Sequence, residues 1–243
     1  HTLFQDGLCQ GLTSETMALE QAGFRPAIVF INGEYLGIHN LRSRINESFI
    51  EDNFGYASNE YDLIENNGIV EEGNADAFNH LFDLLDRDLS VDANFQVVTE
   101  VMDMDNFSDF LITEVWTSNS SWGHNLQLWK PKAAGTKWRW ILHDFDRGFS
   151  GADNNGMNYF TTDSSPSDYE WARTGIRNIL SNKKFADKFA QRFADHLYTT
   201  FNVTRVNQHI QQKKTAIEKE IPFHVNRWAG TMSDYGDGIP SVA

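Results

Sequence analysis

The dipeptide Asn32-Gly33 constrains the fold of this chain more than any other feature, because it separates two segments with strand character. Asn-Gly favours the two-residue turn of a β-hairpin, since both positions must adopt positive φ. The preceding segment, Arg25 to Ile31, is rich in β-branched and aromatic residues, and Tyr35 to Arg42 is the expected returning strand. The sequence therefore predicts an antiparallel hairpin in its amino-terminal part.

Other segments carry the periodicity of strands or of amphipathic helices. The expected strands are residues 61–65, 68–73, 126–129 and 137–142, and the last places Trp138, Trp140 and Leu142 on one face and Arg139, Ile141 and His143 on the other. The expected helices are residues 12–22 and 46–54, two that begin near Asp76 and Asp105, and 171–180, 182–200 and 203–220. These patterns predict an α+β fold with a β-rich N-terminal part and a mainly helical C-terminal part.

Residues 150–168 are rich in Gly, Ser, Asn and Asp, which predicts a long loop. A long loop close to functional side chains is either a lid or substrate loop, or a plain surface connection. Both interpretations stay open on the sequence alone.

Composition limits the classes of partner. The 243 residues suffice for one globular unit. With 20 Lys and Arg against 34 Asp and Glu, the net charge is −14, which argues against a nucleic-acid partner and suits divalent cations or basic proteins. The same charge is also what a merely soluble surface requires. The sequence leaves the oligomeric state open.

The single cysteine, Cys9, excludes an intramolecular disulfide and a cysteine zinc site. The longest apolar run, residues 27–31, is far shorter than the ~18–20 residues of a membrane-spanning helix, so no membrane span is expected. His1 begins without a charged and then apolar signal segment, and we expect a mature or trimmed soluble fragment.

Two carboxylates, Asp144 and Asp146, follow directly on the apolar strand that ends at Leu142. In an extended segment they point to the same side, where a bound cation would neutralise them, and carboxylate oxygens suit Mg²⁺ or Mn²⁺. Asp-x-Asp also occurs in ordinary turns and in metal-dependent glycosyltransferases. Arg147 offers a simpler, purely structural partner for either carboxylate.

Phosphoryl transfer needs metal ligands, positive charge near the phosphates and a group that orients the acceptor hydroxyl. Asn125 and Asp144 resemble the Asn and Asp that hold metal ions in protein kinases, and Asp144-Phe145-Asp146 resembles the kinase metal-binding tripeptide with its glycine replaced. Arg42 and Arg44 are candidates for phosphate binding, or solvated arginines of a surface strand. His124 is a candidate base, or a packed polar residue beside Trp122.

Four segments resemble successive blocks of the CotH family, which is known from bacterial spore-coat protein H and related surface proteins. They are RPAIVFINGEYLGIHNLRSRIN, YDLIENNGIVEEG, NSSWGHNLQLWKPKAAGTKWRWILHDFDRGF and IEKEIPFHVNRW, and the matching region covers residues ~4–228. Their order and number make the resemblance far more specific than any single motif.

The resemblance implies an atypical protein-kinase-like fold, binding of ATP with Mg²⁺ or Mn²⁺, and phosphorylation of serine residues in secreted or coat proteins. It also implies a secreted, cell-surface or spore-surface location. On this reading residues 1–243 form one domain, in which 1–75 are a small-lobe-like region lacking its extreme N-terminal strands. Residues 76–243 are then a helical region that carries the metal-site hairpin. Asp144 and Asn125 are the implied metal ligands, and Arg42, Ser43 and Arg44 the implied nucleotide-binding residues.

Two positions depart from the family pattern. Ser43 stands where the family usually has Glu, and Ser121 stands where it usually has the Asp that is the presumed catalytic base. A serine hydroxyl does not accept a proton at neutral pH as a carboxylate does. At the catalytic position of Ser121, either Asp146 or His124 has therefore taken over the role of the base, or catalysis is lost.

Three functions follow from this sequence. The first is a CotH-type, ATP- and metal-dependent protein serine kinase. The second is a catalytically inactive pseudokinase that acts as a surface or coat interaction protein. The third is a glycosyltransferase that uses Asp144 and Asp146 to bind a sugar nucleotide.

Overall fold

The computed structural model describes residues 3–66, 68–149, 151–162 and 169–229. The strands are β1 Glu20–Gln21, β2 Phe24–Ile31, β3 Glu34–Arg42, β4 Tyr61–Glu65, β5 Ile69–Glu72, β6 Gln127–Pro131 and β7 Arg139–Leu142. The helices are α1 Gln5–Thr13, α2 Glu47–Phe54, α3 Asp76–Leu85, α4 Asp92–Val101, α5 Met104–Thr117, α6 Gly156–Thr161, α7 Glu170–Ser181, α8 Lys183–Tyr198, α9 Val203–Ile217 and α10 Ile221–Trp228. This order confirms the α+β fold, with a β-rich N-terminal part and a helical C-terminal part, and it is compatible with a kinase-like architecture.

A five-stranded sheet organises the middle of the molecule, in the order β1-β7-β6-β4-β5. β1 runs parallel to β7, and the other neighbours are antiparallel. The predicted alternation along β7 is confirmed, because Trp140 and Leu142 enter the core formed with the helices whereas Ile141 packs in a second cluster with Phe49 of α2. Both faces of the sheet are therefore packed against other elements, and the ends of its strands are where a site can form.

The hairpin β2–β3 forms a separate two-stranded sheet. Asn32 and Gly33 have φ of 51° and 82°, so the predicted two-residue turn is confirmed. The Ser43 amide donates to the Gly23 carbonyl at 3.3 Å, so these two residues form a hydrogen-bonded pair. In an antiparallel sheet, hydrogen-bonded and non-hydrogen-bonded pairs alternate, so the backbone groups of Pro26 point away from β3. Proline, which lacks an N–H, thus lies on the open edge of β2, where it costs no ladder hydrogen bond.

The other edge of the hairpin is covered by α10. His224 Nδ1 accepts from the Ile38 amide at 2.9 Å, while Arg227 Nε and Trp228 Nε1 donate to the carbonyls of Tyr35 and Leu36 at 2.9 and 3.0 Å. Side chains of α10 therefore satisfy the backbone groups of β3 that a neighbouring strand would otherwise bind. The close approach requires Gly37, because a Cβ at that position would lie 2.4 Å from His224 Nδ1.

An ion pair between the buried Asp109 and the half-buried Arg192 ties α5 to α8, and a hydrogen bond of the same carboxylate ties α5 to the chain before β1. Asp109 is fully buried and accepts from Arg192 Nε at 2.6 Å, from Arg192 Nη2 at 2.8 Å and from the Ala18 amide at 2.8 Å. Its Oδ1 also lies 3.1 Å from His196 Nε2. Although burial opposes it, these hydrogen bonds hold the pKa of Asp109 below its usual range.

Two local predictions are wrong. A helix was expected over 12–22, but α1 ends at Thr13 and residues 20–21 pair with β7 instead, because the Ala18 amide bonds to Asp109 and not to a preceding helical carbonyl. Residues 150–168 were expected to be loop, but α6 lies within them and begins at the cap residue Asn155, whose side chain accepts from the Met157 amide. Residues 150 and 163–168 of that expected loop lie outside the described residues. The helices α4 and α10 were not anticipated.

None of the helices within the described ranges is long and apolar enough to cross a bilayer.

Candidate functional site

The two acidic residues after β7 are brought together by a turn and not by an extended strand. Asp144 has φ of +51°, and its Oδ1 accepts from the Asp146 amide at 3.3 Å. The same-side argument from strand geometry was therefore wrong, although the carboxylates do interact. Partial burial and the neighbouring Asp144 raise the pKa of Asp146, and the charge of Arg147 acts in the opposite direction.

The first turn of α1 holds this acidic turn in place. Asp6 accepts from the Phe145 amide at 2.9 Å and forms an ion pair with Arg42 of β3. Gln5 Nε2 donates to the Asp146 carbonyl at 3.0 Å and also to the carbonyl of Gly148. Asp6 thus links the end of β7 to the end of β3, a connection that no local sequence signal indicated.

A chain of side-chain hydrogen bonds connects the predicted residues after α5 to Asp144. Asn119, which is fully buried, donates to the Asp144 carbonyl at 3.2 Å, and its Oδ1 accepts from Ser121 Oγ at 3.1 Å. Asn125 Nδ2 lies 3.4 Å from both Ser121 Oγ and the Ser121 carbonyl. The predicted metal ligand Asn125 is therefore connected to Asp144 through Ser121 and Asn119.

Glu114 of α5 is a neighbour of Asn119 and Asp144. It is 1% exposed, and neither carboxylate oxygen has a hydrogen-bond partner among the described residues. Burial raises the pKa of Glu114 well above its usual range, and the charge of Asp144 adds to the shift. The nearby side-chain amide of Asn119 opposes this rise in pKa, although it forms no hydrogen bond with the Glu114 carboxylate.

Replacing Glu114 with glutamine is expected to change the pH dependence of stability. The folded protein keeps a proton on Glu114 that the unfolded chain releases above about pH 4.3, so the free energy of unfolding decreases as the pH rises above that value. Glutamine does not titrate, so Glu114→Gln does not lose stability in this way. The free energy of unfolding of the variant minus that of the native protein should therefore increase from pH 4 to pH 8. Urea denaturation at several pH values measures it, with the exposed Glu100→Gln on α4 as control. Parallel native and Glu114→Gln profiles would contradict the assignment.

A cavity of about 410 Å³ opens between the end of β3 and the strand ends around β6. We call it the cleft cavity, and its lining includes Arg42, Ser43, Arg44, Glu65, Gln127 and Asp144. The structure therefore brings all three predicted nucleotide-binding residues to the same space as the predicted metal ligand Asp144. Ser43 Oγ also accepts from the Gly23 amide at 3.1 Å, which fixes the end of β3.

The lining of the cleft cavity also contains two acidic residues, Glu65 and Glu71. Burial and the neighbouring Glu71 raise the pKa of Glu65, whereas the charge of Arg44 opposes the shift. His143 also lines the cavity, and burial lowers its pKa. Sequence reasoning missed Glu65, Glu71 and Gln127, because nothing local distinguishes a polar residue at a strand end from a solvated one.

A second cavity of about 240 Å³ lies on the other side of Asp144, and its lining includes Gln5, Asp6, Arg42 and Asp146. Asp144 and Arg42 line both cavities, so they separate a nucleotide-sized space from a smaller one that reaches Asp146. A larger cavity of about 780 Å³ lies among α4, α5 and α8, and none of the predicted site residues is among its described lining residues.

His124 lies apart from the described lining of both cavities around Asp144. Its side chain is exposed, and its ring packs edge-on against Tyr169 with ring centroids 5.2 Å apart. The predicted role of His124 as a base stays a prediction.

The donor set suits a nucleotide-bound metal better than a metal alone. Among residues 3–66, 68–149, 151–162 and 169–229, no group of three or more His, Cys, Asp or Glu side chains is arranged to hold a metal ion. Mg²⁺ in nucleotide sites needs only one or two protein ligands, because phosphate oxygens and water complete the shell. Asp144, which lines the cleft cavity, fits that requirement, whereas Asn125 is not among the described lining residues of that cavity.

Comparison with known proteins identifies the family of the chain. A search of curated proteins found no match. A protein-family model described as CotH kinase protein matches residues 1–239, which is nearly the whole chain and includes all residues of the candidate site. The chain therefore belongs to the CotH kinase protein family.

Proposed function

We propose that this domain binds ATP together with Mg²⁺ or Mn²⁺ in the cleft cavity, and that its inherited reaction is the phosphorylation of protein serine residues. The observation that carries the proposal is the meeting of Arg42 and Arg44 with Asp144 around one cavity of about 410 Å³. Positive charge for the phosphates and a carboxylate for the metal are two of the requirements of phosphoryl transfer that a protein must supply.

Each predicted residue has a defined role in this proposal. Asp144 and Asn125 bind the metal, which when present neutralises charge on the phosphates. Arg44 and Arg42 orient the polyphosphate, although Arg42 is already paired with Asp6. In the reaction the γ-phosphoryl group passes from ATP to the serine oxygen, ADP leaves, and the serine proton passes to a basic group of the protein.

The identity of that basic group decides between a kinase and a pseudokinase. Ser121 stands in the position of the family's base, and its hydroxyl donates to Asn119 Oδ1. It therefore serves as a connecting residue, and Asp146, whose amide donates to the Asp144 carboxylate, is the carboxylate that we propose as the base. If Asp146 does not act as the base, the domain binds nucleotide without transferring phosphate and acts through its partners.

The proposed partners are secreted or coat proteins, and the proposed location is the secreted or spore-surface compartment, because the CotH family is associated with spore coats. The net charge of −14 favours partners with basic surfaces.

A thermal-shift titration tests the proposal. Mg²⁺ or Mn²⁺ alone should leave the melting temperature unchanged, whereas ATP with either metal should raise it, because a ligand that binds only the folded state stabilises it. Ligand at 100 times its Kd should add about 2.7 kcal/mol to the free energy of unfolding. The absence of any shift at millimolar ATP with both metals would refute the nucleotide site.

The variant Ser121→Asp separates the two forms of the proposal. It restores a carboxylate at the family's base position, so radiolabel transfer from γ-labelled ATP to a serine-containing protein should increase if the base is the missing element. Ser120→Asp, one residue earlier in the same segment, is the matched control. Transfer by the native protein that is lost in Asp146→Asn would instead identify Asp146 as the base.

A further inference from the structure

One buried polar atom of the cleft cavity lacks a partner. Gln127 of β6 is 5% exposed and lines the cavity, and its Oε1 accepts no hydrogen bond among the described residues. A buried acceptor left without a donor destabilises a folded protein, so such groups are rare unless a ligand or water satisfies them.

Gln127 and Asp144 line the same cavity. Gln127 is directly opposite Glu65 of β4 on one side and Ile141 of β7 on the other. A ligand whose phosphates bind at Asp144 can therefore also reach Gln127.

The surroundings of Gln127 are rich in acceptors. Glu65, its cross-strand neighbour, and Glu71 line the same cavity. These acceptors favour a ligand group that donates hydrogen bonds, whereas Arg42 and Arg44 in the same lining favour an anion.

We propose that Gln127 recognises the exocyclic amino group of the nucleotide base, with Gln127 Oε1 accepting one N–H and the Glu65 carboxyl group accepting the other. The inference rests on the proposed nucleotide site and adds to it the residue that selects the base. It makes adenine, which carries a 6-amino group, a better ligand than a purine that lacks this group.

Calorimetric titration of the full chain tests the selection directly. The ligands are Mg²⁺ with ATP and Mg²⁺ with purine riboside 5′-triphosphate, which differs from ATP only by the missing amino group. The native protein should bind ATP about tenfold more tightly, because the analogue leaves Gln127 Oε1 unpaired. In Gln127→Leu the ratio of the two affinities should fall to about one, and Gln96→Leu on the exposed face of α4 should keep the native ratio.

A second measurement separates recognition from a structural role. Gln127→Leu removes a buried acceptor without a partner, so the melting temperature of the ligand-free variant should equal or exceed that of the native protein. A clear decrease in melting temperature would show that Gln127 is a structural residue.

The outcomes of the titration distinguish the two proposals. If native protein binds both triphosphates equally, or if Gln127→Leu keeps the preference for ATP, Gln127 does not select the base and the nucleotide site itself still stands. If neither triphosphate binds, the nucleotide site fails and the inference fails with it.

Discussion

Metal-dependent ATP binding should disappear when Asp144 is replaced. Asp144→Asn removes the negative charge that the metal requires, and we expect the affinity for ATP with Mg²⁺ to fall at least about 100-fold. At an ATP concentration 100 times the native Kd, the gain in the free energy of unfolding would then decrease from about 2.7 to about 0.4 kcal/mol. Thermal-shift and calorimetric titrations both measure this loss.

The backbone at Asp144 determines which substitution is informative. Its φ of +51° lies in the left-handed region, which asparagine tolerates better than alanine. Asp144→Ala therefore combines loss of the ligand with a backbone cost, and Asp144→Asn isolates the charge. Asp153→Ala, in the exposed segment before α6, is a matched removal of one acidic residue and should leave ATP binding unchanged. Native affinity in Asp144→Asn would place the metal elsewhere.

The largest effect on stability is expected at Asp109. Asp109→Ala leaves Arg192 without its carboxylate and the Ala18 amide without its acceptor, so the free energy of unfolding should fall by about 2–4 kcal/mol. Asp105→Ala is the matched control on the same helix, because Asp105 is exposed and lies 4.0 Å from the same arginine. We expect that change to cost less than about 1 kcal/mol. Urea denaturation compares the three proteins.

The pH dependence of the same variant provides an independent check. The pKa of Asp109 is lowered in the folded protein, so its contribution to stability is fully present above about pH 3.9 and is lost as the pH falls through the lower folded value. The stability difference between native protein and Asp109→Ala should accordingly shrink below about pH 4. If the two proteins differed by the same amount at pH 3 and pH 7, the ion pair would not be the source of the effect.

Local sequence signals predicted the elements whose structure depends on neighbouring residues. The hairpin at Asn32-Gly33 needs only two positive φ values, and the helix after Asn46 needs only a side chain that caps its first turn. The expected helix over 12–22 failed because the Ala18 amide is satisfied by Asp109, 91 residues away. Helix propensity was overridden by a tertiary contact.

The residues of the candidate site also fall into two groups, those with a local sequence signal and those without one. Asp144 and Asn125 were predicted because their residue types and positions after and before strands resemble kinase metal ligands, and these roles stay predictions. Asp6, Gln127 and the Glu65–Glu71 pair had no such signal, since each reaches the site through contacts between distant segments. Their recruitment depends on strand order, which alternation along single strands does not determine.

The attachment of α10 to β3 constrains how the cleft cavity can open. His224, Arg227 and Trp228 bind backbone groups of the strand whose far end supplies Arg42 to the cavity, although they lie about 190 residues away along the chain. Any tilt of the hairpin that widens the cavity must therefore carry α10 with it or break these three hydrogen bonds. The hairpin and α10 thus move as one unit, and the stiffness of this wall of the cleft cavity depends on a helix that is not among the described lining residues of the cavity.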